Sequence, residues 1–172
     1  MVVVFGLRSA TLEDVRYIVT VTYKAMNAYL EKAYGGSFDW AVWEFELRGS
    51  IQDQSNRITS DMTDDRWSLV EVIMWNDTPA GFSWITSHKE QALWVDSLII
   101  EPNFRSQGLG GRVVELLPQR FPTITVVELG VQEANQEAVA FYKRHGFYQV
   151  PDPAMKQFYT LRMRKDFSRR LE

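Results

Sequence analysis

The chain has 172 residues, of which 45% are hydrophobic and 13% aromatic, and its formal net charge is −3. This length and composition predict a packed core in a single domain, residues 1–172, rather than a disordered chain. The acidic balance argues against nucleic acid as the main partner and favours a cationic substrate. Since the chain has no cysteine and two histidines, we expect no disulfide, no thiolate chemistry and no metal site.

The sequence begins with a β-branched and aromatic run, residues 2–7, which predicts a first strand. No basic segment precedes this run and Arg8 interrupts it, so it lacks the pattern of a signal peptide. No apolar window of the chain approaches the roughly 18 residues that a membrane-spanning helix needs. We therefore expect a cytoplasmic protein without a membrane partner.

A first helix is expected after this strand. Ser9 or Thr11 can cap its amino terminus, because side-chain oxygens of these residue types accept from free backbone N–H groups. Apolar residues then recur at helical spacing from residue 12 to residue 29, and the pair Gly35-Gly36 ends the run.

A second helix is expected to begin after Ser37 or Asp39. Its apolar residues fall into two stripes: Trp40, Trp43, Leu47 and Ile51 in one, and Val42, Phe45 and Gly49 in the other. Most of its aromatic residues are expected in the core. The second stripe leaves open that some of them line a pocket or form a homodimer contact.

The polar segment 52–65 is expected to be mainly loop. Three antiparallel strands are predicted after it, at residues 67–75, 81–87 and 93–100. Turn-forming residues separate them at positions 76–79 and 88–90, and Pro102 ends the last strand.

The remaining elements complete a βαβ unit and two closing strands. A helix is expected at residues 112–117, where Pro118 should stop or kink it, and a strand at residues 123–131. Asn135 can cap a helix that runs through Arg144 and ends at Gly146. Closing strands are expected at residues 147–150 and 158–163. This order predicts a mixed sheet with helices on both faces.

A glycine-rich turn lies between the third meander strand and the next helix, in the stretch FRSQGLGGRVVELL. The first N–H groups of a helix lack intrahelical partners and attract anions, so a turn without side chains there predicts a phosphate cradle. The residues concerned are Gly108, Gly110 and Gly111, with Arg105 and Arg112 supplying charge. A glycine-rich turn without a ligand is the alternative. The glycine spacing matches neither the dinucleotide fingerprint nor the P-loop.

Two motifs in this region resemble those of one enzyme family. The spacing R-x-x-G-x-G from Arg105 to Gly110 resembles the acetyl-CoA motif of the GNAT superfamily of N-acetyltransferases. The segment ANQEAVAFYKRHGF resembles the N-x-x-A-x-x-x-Y-x-x-x-G-F motif of the same family, with Asn135, Ala138, Tyr142, Gly146 and Phe147 at the matching positions. The resemblance covers most of the chain and is weakest over residues 34–65.

The resemblance implies a fold, a cosubstrate and a set of cofactor-binding residues. The fold is the GNAT, or acyl-CoA N-acyltransferase, fold: α/β of the α+β type, with a mixed, mostly antiparallel central sheet of about six to seven strands and helices on both faces. Acetyl-CoA would lie between two parallel strands that splay apart, at residues 93–100 and 123–131. The implied contacts are Leu98, Ile99 and Ile100 to the pantetheine arm, Ser106, Gln107, Gly108, Leu109, Gly110 and Gly111 to the pyrophosphate, with Arg105 and Arg112 supplying charge, Asn135 to the cofactor arm, and Tyr142 to the departing thiolate.

The same resemblance implies that Tyr142 donates a proton to the departing thiolate, although burial in the core is its alternative role. The general base is less defined, because the position that carries a glutamate in some relatives is Gly130 here. Asp96 is the next candidate, since a carboxylate inside an apolar strand is costly unless it is used or paired. An arginine-paired or solvated Asp96, and proton transfer to water, stay open, and Glu128 and Glu133 are weaker candidates.

The leading hypothesis is an N-acetyltransferase that uses acetyl-CoA and a primary amine: a small molecule, a polyamine or a protein N-terminus. Because Gly130 cannot act as a base, a non-catalytic acyl-CoA-binding module of the same fold is the first alternative. An interaction domain that binds no cofactor is the second.

Overall fold

The computed structural model describes residues 4–57, 67–89 and 91–167, and these form one seven-stranded sheet with the order β1-β2-β3-β4-β5-β7-β6. The strands are β1 (Phe5–Ser9), β2 (Ser68–Trp75), β3 (Thr78–Lys89), β4 (Ala92–Ile100), β5 (Val126–Gln132), β6 (Tyr148–Val150) and β7 (Thr160–Asp166). Only the β4–β5 pair is parallel, and every other pair of neighbours in this sheet is antiparallel. The prediction of a mixed, mostly antiparallel sheet is confirmed.

Helices cover both faces of the sheet. They are α1 (Val15–Tyr34), α2 (Trp40–Arg57), α3 (Leu109–Arg120), α4 (Gln136–Arg144) and α5 (Pro153–Lys156), with short 3₁₀ turns at Leu12–Asp14 and Pro102–Phe104. Within the described ranges, no helix combines the length and the apolar character needed to span a bilayer.

The sheet separates two main cores. Ile18 of α1 and Leu47 of α2 share one core with Phe82, whereas Leu117 of α3 and Tyr142 of α4 share the other with Leu93 and Val127. Trp84 and Ile85 show the division directly, because these neighbours on β3 lie in different cores. Successive side chains of a strand point to opposite faces of the sheet. The position of a residue along its strand therefore sets whether it packs against α1 and α2 or against α3 and α4.

Local signals set several helix ends where the sequence predicts them. The N–H groups of Ala41 and Val42 donate to Asp39 Oδ1 at 2.9 and 3.1 Å, which begins α2. Gly35 ends α1 in the left-handed conformation, with φ of 58°. Asn135 Oδ1 accepts from the Ala138 N–H at 3.1 Å and caps α4. These contacts satisfy backbone groups that the helices leave free.

The prediction of a loop at residues 52–65 is wrong for residues 52–57, which continue α2. Gln54 is buried, and its Oε1 accepts from the Val70 N–H at 2.7 Å. A polar side chain therefore belongs to the helix–sheet contact because it satisfies a strand N–H group. Residues 58–65 lie outside the described part of the chain.

The boundaries of α3 also differ from the prediction. The helix begins at Leu109 rather than Arg112, because Gly108 in the left-handed conformation is its N-cap residue. It continues past Pro118 to Arg120, since tertiary contacts outweigh the loss of one backbone donor. Leu117 is buried, and the Arg120 guanidinium donates to both carboxylate oxygens of Glu71 at 2.7 Å.

Two smaller differences lie in the second half of the meander and before β7. β3 runs through Lys89, so the turn expected at residues 88–90 comes later, and Glu90 lies outside the described residues. The one-turn helix α5 is missing from the prediction. Its signal is the Asp152-Pro153 pair, since Asp152 Oδ1 accepts from the N–H groups of Ala154 and Met155 at 3.1 Å each.

The Glu71–Arg120 pair should be worth far more to stability than an exposed pair. Arg120→Ala leaves a buried carboxylate without its partner and should lower the free energy of unfolding by about 3 kcal/mol. Arg48→Ala removes the exposed pair with Glu44 and should cost less than about 1 kcal/mol. Urea denaturation of both variants measures the difference, and equal losses would show that Glu71 does not need Arg120.

Candidate active site

Strands β4 and β5 part in the middle of the sheet. Their parallel pairing covers four positions, from Ala92 opposite Val126 to Val95 opposite Leu129. Beyond this point β4 continues to Ile100 while paired with β3, and β5 continues to Gln132 while paired with β7. A wedge-shaped gap therefore opens between two strands that are each held on their outer side, at the position where the sequence predicts it.

A β-bulge lies where the two strands part. Trp84 of β3 is opposite Ser97 and Ile85 is opposite Val95, which leaves Asp96 as the extra residue on β4. An extra residue bends its strand and redirects the side chains around it. The bulge thus lies one residue beyond the last β4–β5 pair, so Asp96 stands on β4 where the gap begins.

The Asp96 carboxyl lies on the sheet face that α2 covers. Its Oδ2 accepts from Thr86 Oγ1 at 3.0 Å, and Glu46 of α2 is near enough to act on it electrostatically. Protein atoms crowd the carboxyl although the residue keeps surface open to solvent. The pKa of Asp96 rises from 3.8 to about 6, mainly because the charged carboxylate loses hydration there. The hydrogen bonds from Thr86 and from the backbone lower the pKa, and the negative charge of Glu46 raises it by a smaller amount.

The other carboxylates near β5 are less suited to accept a proton. Glu128 is buried and accepts from Arg162 at 2.8 Å, with Arg164 at 3.7 Å, so it is half of a structural ion pair. Glu133 is exposed in the turn before α4. Among the side chains that the structure describes, no lysine or arginine forms an ion pair with Asp96.

Gly130 lies on β5 next to the gap, where a side chain would meet neighbours at once. A Cβ atom there would be 2.5 Å from Met155 Cε and 3.1 Å from Thr160 Cγ2. Met155 of α5 therefore occupies the space that a longer residue at this position would need.

Tyr142 lies on α4 and faces the core below the gap. The residue is 8% exposed, and its ring packs edge-on against Phe141 at 5.1 Å and Phe147 at 5.3 Å. Burial raises the pKa of the Tyr142 phenol well above its usual value. The phenol therefore stays protonated at neutral pH, where it can donate a proton or a hydrogen bond.

The first half of the glycine turn has the geometry of an anion cradle. Ser106 and Gly108 both have left-handed backbone, with φ of 62° and 77°. A Cβ atom at Gly108 would meet nothing within 4 Å, so the space in front of this residue is open. The free N–H groups of the first turn of α3 follow directly, and such a run of N–H groups favours an anion.

The second half of the turn packs against α4. A Cβ atom at Gly110 would lie 3.1 Å from Phe141 Cζ, and one at Gly111 would lie 2.6 Å from His145 Nε2. Both glycines are buried. Their missing side chains leave room for Phe141 and His145.

The remaining predicted contacts lie around the gap in different ways. Arg105 Nε donates to the Ile100 carbonyl at 3.2 Å, and its guanidinium is 3.8 Å from Glu137 at the start of α4. Arg112 lies over the Phe5 ring at 5.7 Å, toward the β1 edge. Leu98 and Ile100 contact the α3 side of the sheet, whereas Ile99 belongs to the α1–α2 core.

One pocket near the site was missed by the sequence analysis. It has a volume of about 260 Å³ and is lined by Tyr29, Lys32, Gln132, Glu133, Ala134, Gln136 and Tyr159. Tyr34 stacks on Phe158 at 5.1 Å above it, and Lys32 lies over the Tyr159 ring at 5.6 Å. These contacts join α1 to the segment before β7, so no local sequence signal could have revealed the pocket.

Comparisons with known proteins agree with this arrangement. The model of the acetyltransferase (GNAT) family matches residues 25–147. The uncharacterized N-acetyltransferase MJ1207 of Methanocaldococcus jannaschii is 27% identical over 83% of this chain and 60% of its own length. The peptidyl-lysine N-acetyltransferase YjaB of Salmonella typhimurium is 36% identical over 46% of this chain and 52% of its own length. The chain thus spans only about half to three fifths of these curated relatives.

A solved structure shares the whole fold. The PaiA N-acetyltransferase of Thermoplasma acidophilum, crystallised with coenzyme A, superposes with a TM-score of 0.68 over 95% of this chain and 99% of that chain. The sequence identity is 18%, so this similarity concerns the fold.

The raised pKa of Asp96 predicts a stability cost at neutral pH. Between pH 3.8 and about 6 the folded state holds a proton that the unfolded state releases, so stability falls as the pH rises through this window. Asp96→Asn should therefore match the wild type near pH 4 and unfold at a higher temperature near pH 7.5. Thermal unfolding across this range measures the difference.

Asp14→Asn is the matched control. The Arg8 hydrogen bonds lower the pKa of Asp14, so its stabilisation is present at neutral pH and disappears as the pH falls below 3.8. This variant should be less stable than the wild type at pH 7.5. An Asp96→Asn variant that behaved in the same way would show that the Asp96 carboxylate is stabilised by its surroundings.

Proposed function

The chain belongs to the GNAT family of acetyltransferases, and on this basis we propose that it transfers the acetyl group of acetyl-CoA to a primary amine. The observation that carries the proposal is the gap between β4 and β5, because its two walls offer strand backbone to an extended ligand. The left-handed turn at Ser106 and Gly108 lies beyond the end of β4, and Tyr142 lies on the helix that follows β5.

The residues around the gap suit an extended ligand with a diphosphate at one end. Backbone groups of Leu98, Ile99 and Ile100 would bind the pantetheine arm in the manner of an added strand. The turn of residues 105–109 and the first N–H groups of α3 would hold the pyrophosphate. Asn135 would contact the arm near the thioester. Gly110 and Gly111 would contribute N–H groups only, since their side-chain positions face α4.

Asp96 would remove a proton from the acceptor. An amine must be neutral to attack, and a carboxylate with a pKa of about 6 is ionised at neutral pH and able to take a proton. The nitrogen lone pair forms the new C–N bond at the thioester carbonyl carbon. Collapse of the tetrahedral intermediate breaks the C–S bond, and the Tyr142 phenol gives its proton to the thiolate sulfur. The second proton of the attacking nitrogen then leaves through solvent and restores the Tyr142 phenol, so that the amide and coenzyme A are both neutral at the reacting atoms. The transfer is direct, without an acyl-enzyme, and the chain has no cysteine to form one as a thioester.

The acceptor is a primary amine that approaches from the α1–α2 side of the gap. Asp96 and Glu46 lie on this side, which favours an acceptor that arrives as a cation. Small molecules, polyamines and protein N-termini are the candidates, and the activity named for YjaB adds lysine side chains.

Asp96 favours the enzyme over the alternative of a non-catalytic acyl-CoA-binding module. That alternative rests on Gly130, where no base is present. The bulged Asp96 supplies a carboxyl beside the gap from the opposite strand, which supports an enzyme.

Isothermal titration with acetyl-CoA and a thiol-release assay with a panel of amines test the proposal together. We expect acetyl-CoA to bind and coenzyme A thiol to appear only with certain amines. Binding without thiol release from any amine would support the binding module, and no binding at all would overturn the assignment of the gap.

Tyr142→Phe tests the proton donor. The ring and its packing stay, so acetyl-CoA affinity and the unfolding temperature should change little, while kcat should fall roughly tenfold to a thousandfold. Tyr17→Phe is a control, because Tyr17 is on α1 and has no place in the proposed chemistry. If Tyr142→Phe keeps full turnover, the phenol is not the proton donor and Tyr142 serves only to pack the core.

Asp96→Asn tests the base. In the wild type kcat/KM should rise with pH through an ionisation near 6, as Asp96 becomes a carboxylate. In the variant the rise of kcat/KM near pH 6 should disappear, and kcat/KM at higher pH should be strongly reduced. Profiles should be measured with two amines of different pKa, because a limb that moves with the amine would indicate proton transfer to water instead.

A further inference from the structure

The side chains of Phe141 and His145 fill the space that two glycines of the turn leave free. Phe141 Cζ lies 3.1 Å and His145 Nε2 lies 2.6 Å from the positions where Cβ atoms of Gly110 and Gly111 would be. Phe141 lies on α4 and His145 is the C-cap residue of that helix, four positions later, so both project from the same side. The first turn of α3 and the end of α4 therefore meet at a contact where a methyl group at residue 111 would overlap the imidazole and one at residue 110 would press on the Phe141 ring.

His145 is held in this contact from two directions. Its Nδ1 lies 2.8 Å from the Phe141 carbonyl, which can only accept, so Nδ1 carries the proton. Its ring lies 4.3 Å from the Phe141 ring. Because the imidazole is tied to its own helix, it cannot turn aside without losing these contacts. A methyl group at residue 111 would push α4 as a unit rather than displace one free side chain.

Tyr142 is rigidly connected to the same contact. It follows Phe141 on α4, and its ring packs against the Phe141 ring at 5.1 Å and against Phe147 at 5.3 Å in the core. The glycine turn and the Tyr142 phenol are thus held in relation to each other through Phe141 and His145. The Arg105–Glu137 contact of 3.8 Å is the second link between the turn and α4, and it is exposed.

We propose that Phe141 and His145 are positioning residues, which set the separation between the anion-binding turn and the Tyr142 phenol. Gly110 and Gly111 serve this contact, and Gly108 alone is needed for the open space in front of the turn. The inference rests on the proposed function in one respect, namely that acetyl-CoA bridges the turn and the phenol. A helix displaced by even one ångström would then lower turnover by roughly a hundredfold.

A double-mutant cycle tests the contact without any ligand. Gly111→Ala should lower the unfolding midpoint by roughly 2–12 °C, as expected for overpacking in a chain of this size. Adding His145→Ala should remove most of that loss relative to His145→Ala alone. Gly110→Ala should cost less, because its neighbour is at 3.1 Å rather than 2.6 Å, and Phe141→Leu should relieve it.

Two glycines serve as controls in this cycle. Gly49→Ala on α2 should not lower the midpoint, since a Cβ atom there would meet nothing within 4 Å. Gly108→Ala should lower it through backbone strain at φ of 77°, and His145→Ala should not relieve that loss.

Kinetics separate positioning from packing alone. Gly111→Ala should lower kcat roughly tenfold to a hundredfold, with a smaller change in acetyl-CoA affinity, and His145→Ala should restore kcat to within about threefold of His145→Ala alone. In a Tyr142→Phe background Gly111→Ala should cause little further loss of kcat, because the misplaced group is already absent.

Three results would overturn the proposal. If acetyl-CoA binding falls in Gly111→Ala and stays low in the double variant, Gly111 faces the ligand rather than α4. If the loss of kcat is equal with and without the Tyr142 hydroxyl, the contact is packing only. If the wild type binds no acetyl-CoA, the proposed function fails and the positioning role with it, while the unfolding cycle still reports on the contact itself.

Discussion

The whole arrangement depends on the point where β4 and β5 stop pairing. Backbone N–H and C=O groups inside a protein are almost always satisfied, so two strands that part in the middle of a sheet create a demand for partners. β3 and β7 hold the outer sides of these strands, which prevents the gap from closing by a shift of either one. A ligand with amide groups along an extended arm meets this demand in the way that an added strand would.

The bulge at Asp96 joins this backbone constraint to the chemistry of the site. The extra residue that stands on β4 where the gap begins brings a carboxyl into a crowded place, where its charged form is poorly hydrated. A well-paired carboxylate such as Asp14, with Arg8 at 2.8 Å, stabilises the fold but is a weak proton acceptor. Asp96 has the opposite properties: its charged form destabilises the fold, and its raised pKa makes the carboxylate a better proton acceptor near neutral pH.

The glycine turn performs two tasks with residues that look alike in the sequence. Gly108 adopts a backbone conformation that other residues avoid and leaves open space before α3. Gly110 and Gly111 have ordinary helical backbone and are glycines because α4 comes too close for a side chain. One short segment thus leaves open space beyond the end of β4 and also packs against the helix that carries Tyr142.

The sequence by itself determined the order of the elements apart from α5, the mixed sheet and the family, because these depend on local signals. Asp39, Asn135 and Gly35 act on backbone groups within a few residues, and both family motifs are read within one βαβ unit. Only the tertiary structure decided the bulge at Asp96, the helical state of Gln54, the passage of α3 through Pro118 and the use of Gly110 and Gly111. Each of these is set by a partner far along the chain, such as β3, Val70, Glu71 or α4. A strand register or an interhelical distance leaves no trace in a local pattern, since it exists only once distant segments have met.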